Sequence, residues 1–278
     1  MSVLGFLAVP FLACLILVGI HAYLGIHVLA RGVVFVDIAL AQIAALGATV
    51  AFMNGYDPDG GKAYAVSLGF TFVGALLFAI SRRLVNRVPQ EAIIGITYAV
   101  AASLAILLVE NAPHGSEHIK HVLVGNLLWI TPAHVARIAA IYGALGLFHV
   151  IFRKPFLRLS FDHVWARSGA MSAVFWDLLF YLSFGFVITS SVQIAGVLLV
   201  FSFLIIPAVF GALFAAGVLR RLAISWTLGF LVSAGGMTAS YLLDLPTGAA
   251  MVAAFGLALA IGLVVRAGLT RTGLVTVG

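Results

Sequence analysis

The sequence predicts an all-α, polytopic membrane protein, and three observations carry that prediction. Of its 278 residues, 63% are hydrophobic and 9% charged; a soluble domain averages about 45–50% and about 25%. The apolar residues come in long blocks, with a mean hydropathy of +1.20, and ~20 apolar residues suffice for one helical pass of a bilayer. The cations stand singly or in small groups between those blocks, as loop charges do when they orient a chain in a membrane.

Nine blocks qualify as spans: roughly residues 3–24, 33–53, 63–81, 92–110, 132–152, 172–190, 194–218, 222–243 and 247–265. They leave no room for a separate soluble domain, so residues 1–278 read as one transmembrane domain. The first block follows Met-Ser-Val-Leu-Gly-Phe-Leu, which lacks a basic leader segment and predicts a retained span. It holds Cys14, the one cysteine, so no intrachain disulfide forms. In the second block small residues are dense between Ala39 and Gly47, which suits close helix packing. Asn54 to Gly61 is a turn cluster. Arg82, Arg83 and Arg87 close the third span, and the fourth runs to Glu110. Within the loop at about 111–131, residues 118–131 are too short to cross. There Leu123, Leu127 and Ile130 share a helical face beside Trp129, which predicts a short interfacial helix. Arg153, Lys154, Arg158 and Arg167 follow the fifth span, in a loop at about 153–170. Arg220 and Arg221 separate the seventh and eighth spans, and Asp244-Leu-Pro246 the eighth and ninth. A different division of 172–218 gives eight spans and inverts the C-terminal half.

Loop charge then orients the chain. With the N-terminus outside and the C-terminus in the cytoplasm, 12 of the 15 Lys and Arg are cytoplasmic, and only Lys62, Lys120 and Arg137 are not. The net charge of +6 is thus spread over several loops, without the single basic patch of a nucleic-acid binder.

Chemistry concentrates at Pro113-His-Gly-Ser-Glu-His-Ile-Lys-His121, on the outer side by this topology. His114, Glu117, His118 and His121 can ligate zinc, manganese or iron, and His114-x-x-Glu117-His118 matches the inverted zinc-peptidase motif. Three readings stand: transient metal contact, a solvated loop, and a peptidase site, which Pro113 and Gly115 oppose by disfavouring a helix through the motif. Glu110 and His134 are near enough in sequence to join the cluster. Two carboxylates fall inside spans, where charge costs at least about 2.5–3.5 kcal/mol. Asp37 shares a face with Leu40, Ala41 and Ala44, away from Gln42; it either lines a pathway or pairs with Arg31. Asp177 reads as a structural partner of an arginine in the 153–167 loop. His21 and His27 read as interfacial, and His149 and His163 as structural or solvated. Gly60-Gly61-Lys62-Ala63 lacks the spacing and hydroxyl of a phosphate loop, so no ATPase site is legible.

Five segments together resemble the zinc/manganese-type metal-ion family of ABC-transporter permeases. They are Phe35 to Gly47, Glu91 to Ile96, Val124 to Thr131, Ile194 to Ala208, and Asp244-Leu-Pro-Thr-Gly248. The resemblance implies a helical fold related to the cobalamin and siderophore permeases. It also implies pairing with a second copy, ATPase subunits docked on the cytoplasmic side, and a metal-binding protein docked outside. Ser160 to Gly169 resembles the family's ATPase-coupling helix, with landmarks at Asp162, Ala166 and Gly169. Ala41-Gln42 stands where the family commonly has Ala-His, and Asp37 falls one residue before the position of the family's aspartate, where Ile38 stands. A metal pathway along Asp37 and Gln42 would then lean on the outer histidines, because glutamine is the poorer ligand for a borderline metal.

The expected function is that of a permease subunit in an ATP-driven importer of divalent metal ions, zinc first, manganese or iron next, in a bacterial inner membrane. The chain itself has no catalytic site and no permanent cofactor; the metal is cargo. The alternatives are an ion-coupled secondary transporter and, more remotely, an intramembrane metallopeptidase.

Overall fold

A chain in lipid must bond its own backbone, and helices do so within each segment. The computed structural model describes residues 3–58, 60–81, 88–110, 112, 115–168 and 170–271, almost all of them helical. His114, Gly169, Arg82, Arg83 and Arg87 lie outside the described residues. The helices are α1 (Val3–Arg31), α2 (Val36–Met53), α3 (Gly61–Ser81), α4 (Gln90–Val109), α5 (Gly115–Val124), α6 (Pro132–Ile151), α7 (Arg153–Phe161), α8 (His163–Arg167), α9 (Met171–Phe214), α10 (Val218–Leu242) and α11 (Thr247–Arg271). Among the described residues, eight of them are long and apolar enough to cross a bilayer.

One of the eight crosses twice. The 44 residues of α9 would extend about 66 Å as a straight helix, twice the ~30 Å hydrocarbon core. At Gly196 the backbone leaves helical geometry (φ 73°, ψ 162°), and the packing on either side shows a reversal. Asp177 pairs with Arg31 at the end of α1, yet Gly25, less than two turns away on α1, packs on the carbonyl of Leu204. A straight helix would hold Asp177 and Leu204 about 40 Å apart. The first half, α9a (171–195), runs opposite to α1; the second, α9b (197–214), runs alongside it. Two registers confirm this. Ser225 Oγ donates to Pro207 O at 2.7 Å, antiparallel between α10 and α9b. Trp226 Nε1 donates to Gly19 O at 3.0 Å, antiparallel between α10 and α1. The described chain therefore makes nine passes, as the longer sequence division expects. The break falls at Gly196 rather than between 190 and 194.

The reversal needs glycine. A φ of 73° with extended ψ is open essentially to glycine alone, and a Cβ on Gly196 would collide with Gly125 N and Leu123 O. Gly125, also at positive φ (72°), packs back on Ala195, and Asn126 N donates to Ile194 O at 3.1 Å. Gly125 also ends α5, as glycine does past a helix C-terminus. The expected helix over 118–131 is therefore two pieces: α5, which starts at Gly115, and a 3-10 turn at Leu127–Trp129. Arg220 and Arg221 lie in the first turn of α10 rather than between spans.

α9 sits at the centre, against α1, α2, α3, α10 and α11; Phe180, Phe184 and Phe203 are fully buried there. α4, α6 and α11 are peripheral and expose Ile96, Leu107, Val150 and Val264. The single pass of α6 puts α5 and the α7–α8 segment on opposite faces. Arg31, Arg153, Lys154, Arg158, Arg220, Arg221 and Arg266 gather towards the α7 face, and Lys62, Lys120 and Arg137 towards the α5 face.

Gly196→Ala is expected to destabilise the detergent-solubilised protein by about 1–3 kcal/mol, read as a lower thermal midpoint. Gly143→Ala, where an added Cβ meets no atom within 4 Å, should leave the midpoint unchanged or raise it. Equal midpoints for Gly196→Ala and wild type would contradict the account of the reversal.

Candidate functional site

The conspicuous histidine run does not form one cluster. In α5 Glu117 stands one turn before His121 on the same face, while His118, about 100° round the helix from Glu117, turns inward. His118 is buried. Its ring stacks on Phe52, with centroids 4.5 Å apart, and its Nε2 lies 3.3 Å from Thr49 Oγ1. The Thr49 hydroxyl already donates to Ala45 O at 2.9 Å, so it accepts from His118, whose hydrogen is then on Nε2. His118 thus anchors α5 to α2. Burial pushes its pKa below the ordinary histidine value, and His121 adds to that. Glu117 is exposed and, with Lys120, lines an open groove that reaches Leu245 to Gly248. Among the described residues, no group of three or more His, Cys, Asp or Glu is placed to hold a metal ion. The first histidine of the peptidase motif, His114, lies outside the described residues.

His121 has a different position. It lines a polar cavity of about 100 Å³ together with Tyr64, Asn126, His134, Ser190 and Gln193. It also lines a smaller one of about 30 Å³ with Ala44, Ser67, His118 and Gln193, between α5, α2, α3 and α9a. His121 and Gln193 are shared by both cavities. The outer cavity is framed by Tyr64, whose hydroxyl lies 3.0 Å from Ser190 Oγ and whose ring carries Arg137 at 4.8 Å. His134 Nδ1 lies 3.1 Å from Thr131 Oγ1 at the start of α6, which leaves its Nε2 for other contacts. The arrangement offers imidazole nitrogens and amide oxygens, ligands of moderate strength for a borderline divalent ion. The sequence reading did name His134, but not Gln193. The missed signal was an amide in the apolar stretch Val192 to Leu199, a costly residue to place in lipid.

Asp37 is fully buried in the first turn of α2, and neither carboxylate oxygen has a hydrogen-bond partner among the described residues. The alternative of an Asp37–Arg31 pair is not realised: Arg31 Nη1 donates to Asp177 Oδ1 at 3.0 Å. Asp177, expected to pair with an arginine of the 153–167 loop, takes an arginine of α1 among the described residues. Gln42 is buried as well. Five residues along a helix separate it from Asp37 by about 7.5 Å and about 140°, so the two face different sides. His21, His27 and His149 are not interfacial or solvated but buried inside the bundle. His163 is exposed.

On the opposite face, Asp162 caps α8 by accepting from Trp165 N at 2.9 Å. That N–H, above all, holds its carboxyl below the usual carboxylate range. Arg158 Nε reaches its other oxygen at 3.3 Å. Ala166 is tucked in, while Val164 and Met171 project with 84% and 79% of their surface exposed.

The sequence pattern of the ABC 3 transport family matches residues 4–266. The chain belongs to that family. Among relatives, the manganese transport system membrane protein MntC of Listeria monocytogenes is 26% identical over 84% of this chain and 81% of its own length. A "Probable iron transport system membrane protein" of Haemophilus influenzae is 24% identical over 84% of this chain and 80% of its own. In fold, this family member is similar to PsaBC from Streptococcus pneumoniae, solved in complex with Fab. The TM-score is 0.76 at 23% identity, over 92% of this chain and 90% of that one.

Because the buried, neutral His118 is favoured in the folded protein, its contribution is complete above the ordinary histidine pKa of about 6.5. It is lost as the pH falls through the lowered value. Hydrogen-exchange protection of α5, corrected for intrinsic rates, should therefore decline on acidification below about pH 6. In His118→Phe it should be independent of pH over that range.

Proposed function

We propose that this family member is the membrane-spanning subunit of an ATP-driven importer of divalent metal ions. The observation that carries the reading is the polar cavity at His121 and Gln193, two residues that it shares with a smaller, largely apolar cavity between α5, α2, α3 and α9a. Such a site suits transport: two imidazoles and two amides can replace part of an ion's hydration shell without holding it as a full tetrahedral set would. The loop charges support an α7 face in the cytoplasm and an α5 face outside. A metal-binding protein would then release the ion at the Glu117–Lys120 groove and the His134 cavity. A second copy of the chain would complete the pathway, and an ATPase subunit would dock on the α7–α8 segment around Asp162, Ala166 and the projecting Val164 and Met171. Alternating access follows if ATP-driven closure of the ATPases moves that segment. The names of the relatives support manganese and iron as cargo beside zinc, and the donor set of nitrogen and oxygen suits all three. No resident cofactor is proposed; the ion is substrate.

Asp37 favours a second reading, since an unpartnered intramembrane carboxylate suits an ion-coupled transporter. Proteoliposomes holding the chain with its ATPase and metal-binding protein separate the two. The importer takes up manganese or zinc only with ATP inside the ATPase-accessible compartment and ignores protonophores. Uptake that needs a proton gradient and no ATP would sink the importer.

In the same vesicles His121→Ala and Gln193→Leu should each lower metal uptake by roughly tenfold, the loss expected when a polar contact to a charged ligand is removed, with ATP hydrolysis retained. Val164→Glu should abolish copurification of the ATPase while leaving the thermal midpoint of the chain unchanged, as an exposed apolar contact of an interface would.

A further inference from the structure

The polar core at the α7 face has no part in the metal route described above, and its geometry suggests one. α7 is a nine-residue, cationic helix that buries Phe156, Leu159 and Ser160. Phe156 stacks on His149, with centroids 4.2 Å apart; apolar and aromatic contacts of this kind tolerate sliding. Ser160 is different. Its Oγ accepts from Arg31 Nε at 3.2 Å and lies within hydrogen-bonding distance, 2.8 Å, of His27 Nδ1. Arg31 spends a second donor on Asp177 at 3.0 Å, in a pair whose side chains are only 2% and 3% exposed. Its guanidinium lies 3.7 Å over the Phe180 ring. Four polar side chains from α1, α7 and α9a thus close one buried network.

A buried, charge-assisted network is directional, and a small displacement of one member leaves another unpaired in low dielectric. Segments joined this way move together. On one side, Ser160 is two residues from Asp162, whose carboxylate caps α8. On the other, Asp177 and Gln193 lie on the same unbroken helix α9a, about 24 Å apart along its axis. We infer that the Ser160–Arg31–Asp177 network is the joint through which movement of the α7–α8 segment enters the bundle and reaches the His121–Gln193 constriction, with Ser160 and Arg31 as positioning residues. The inference rests on the ATP-driven reading above.

The test uses the whole complex of permease, ATPase and metal-binding protein in proteoliposomes, with manganese uptake and ATP hydrolysis measured in the same vesicles. Ser160→Ala introduces no buried charge and should assemble. Its ATP hydrolysis should stay near wild type while manganese moved per ATP falls roughly tenfold, the effect of losing a hydrogen bond to a charged group. Ser160→Thr, which keeps the hydroxyl, should restore the ratio. Arg31→Lys keeps the charge but cannot reach Ser160 and Asp177 at once, so it should lower the ratio as Ser160→Ala does. A wild-type ratio in both Ser160→Ala and Arg31→Lys overturns the joint and leaves the importer standing. Loss of uptake and hydrolysis in equal proportion also overturns it, because a static brace predicts that result. Manganese uptake by the wild-type complex without ATP overturns the importer reading, and the joint with it.

Discussion

Two glycine backbones in contact, Gly125 and Gly196, govern the architecture. Neither position admits a side chain, since each would drive its Cβ into the other strand of the contact. The close approach lets α9 turn back on itself in a single residue, so a 44-residue helix becomes two passes. From that reversal the rest follows. The number of passes becomes odd, the first and last described helices start and end on opposite faces, and Asp177 is delivered to Arg31 at one end of α9a. At the other end Gln193 arrives beside His121. The tip of the reversal also holds the end of α5, so the outer helix and the central helix share one anchor.

Buried polarity in this bundle falls into two kinds. Arg31, Asp177, Ser160 and His27 are hydrogen-bonded to one another in a chain, which makes them costly to disturb. Asp37 is the opposite case: fully buried, with no hydrogen bond to either oxygen among the described residues. Native proteins rarely leave such a group unpaired without a reason. Both kinds meet at the same, cationic end of the bundle, since α2 begins close to where α1 ends at Arg31.

Much of the fold was legible beforehand because hydropathy reports a single strong constraint, the exclusion of water. Span positions, a short helix within 118–131 and the grouping of cations by face all came from it. Helix ends were less legible: α5 stops at Gly125 and α10 starts at Val218 because of local backbone contacts that hydropathy does not register. The functional residues were read unevenly. His114 to His121 drew notice as a run. In three dimensions His118 turns onto Phe52 and touches only the smaller cavity, Glu117 faces outward, and His121 lines both cavities. Asp37 and Asp177 were flagged by charge, but their partners were not foreseeable, since Arg31 lies 146 positions from Asp177 in the chain.

By itself, the sequence determined the solvent of this protein, the approximate number of its crossings, the asymmetry of charge between its faces and its family resemblance. The first three depend on composition summed over a segment, and sums survive ignorance of contacts; the resemblance rests on five short motifs in order. The tertiary structure decided which polar groups meet. It brought His121 to Gln193, Ser160 to Arg31, and left Asp37 alone. Those choices depend on helix rotation and on the reversal at Gly196, where a few degrees of backbone torsion determine what lies within hydrogen-bonding distance.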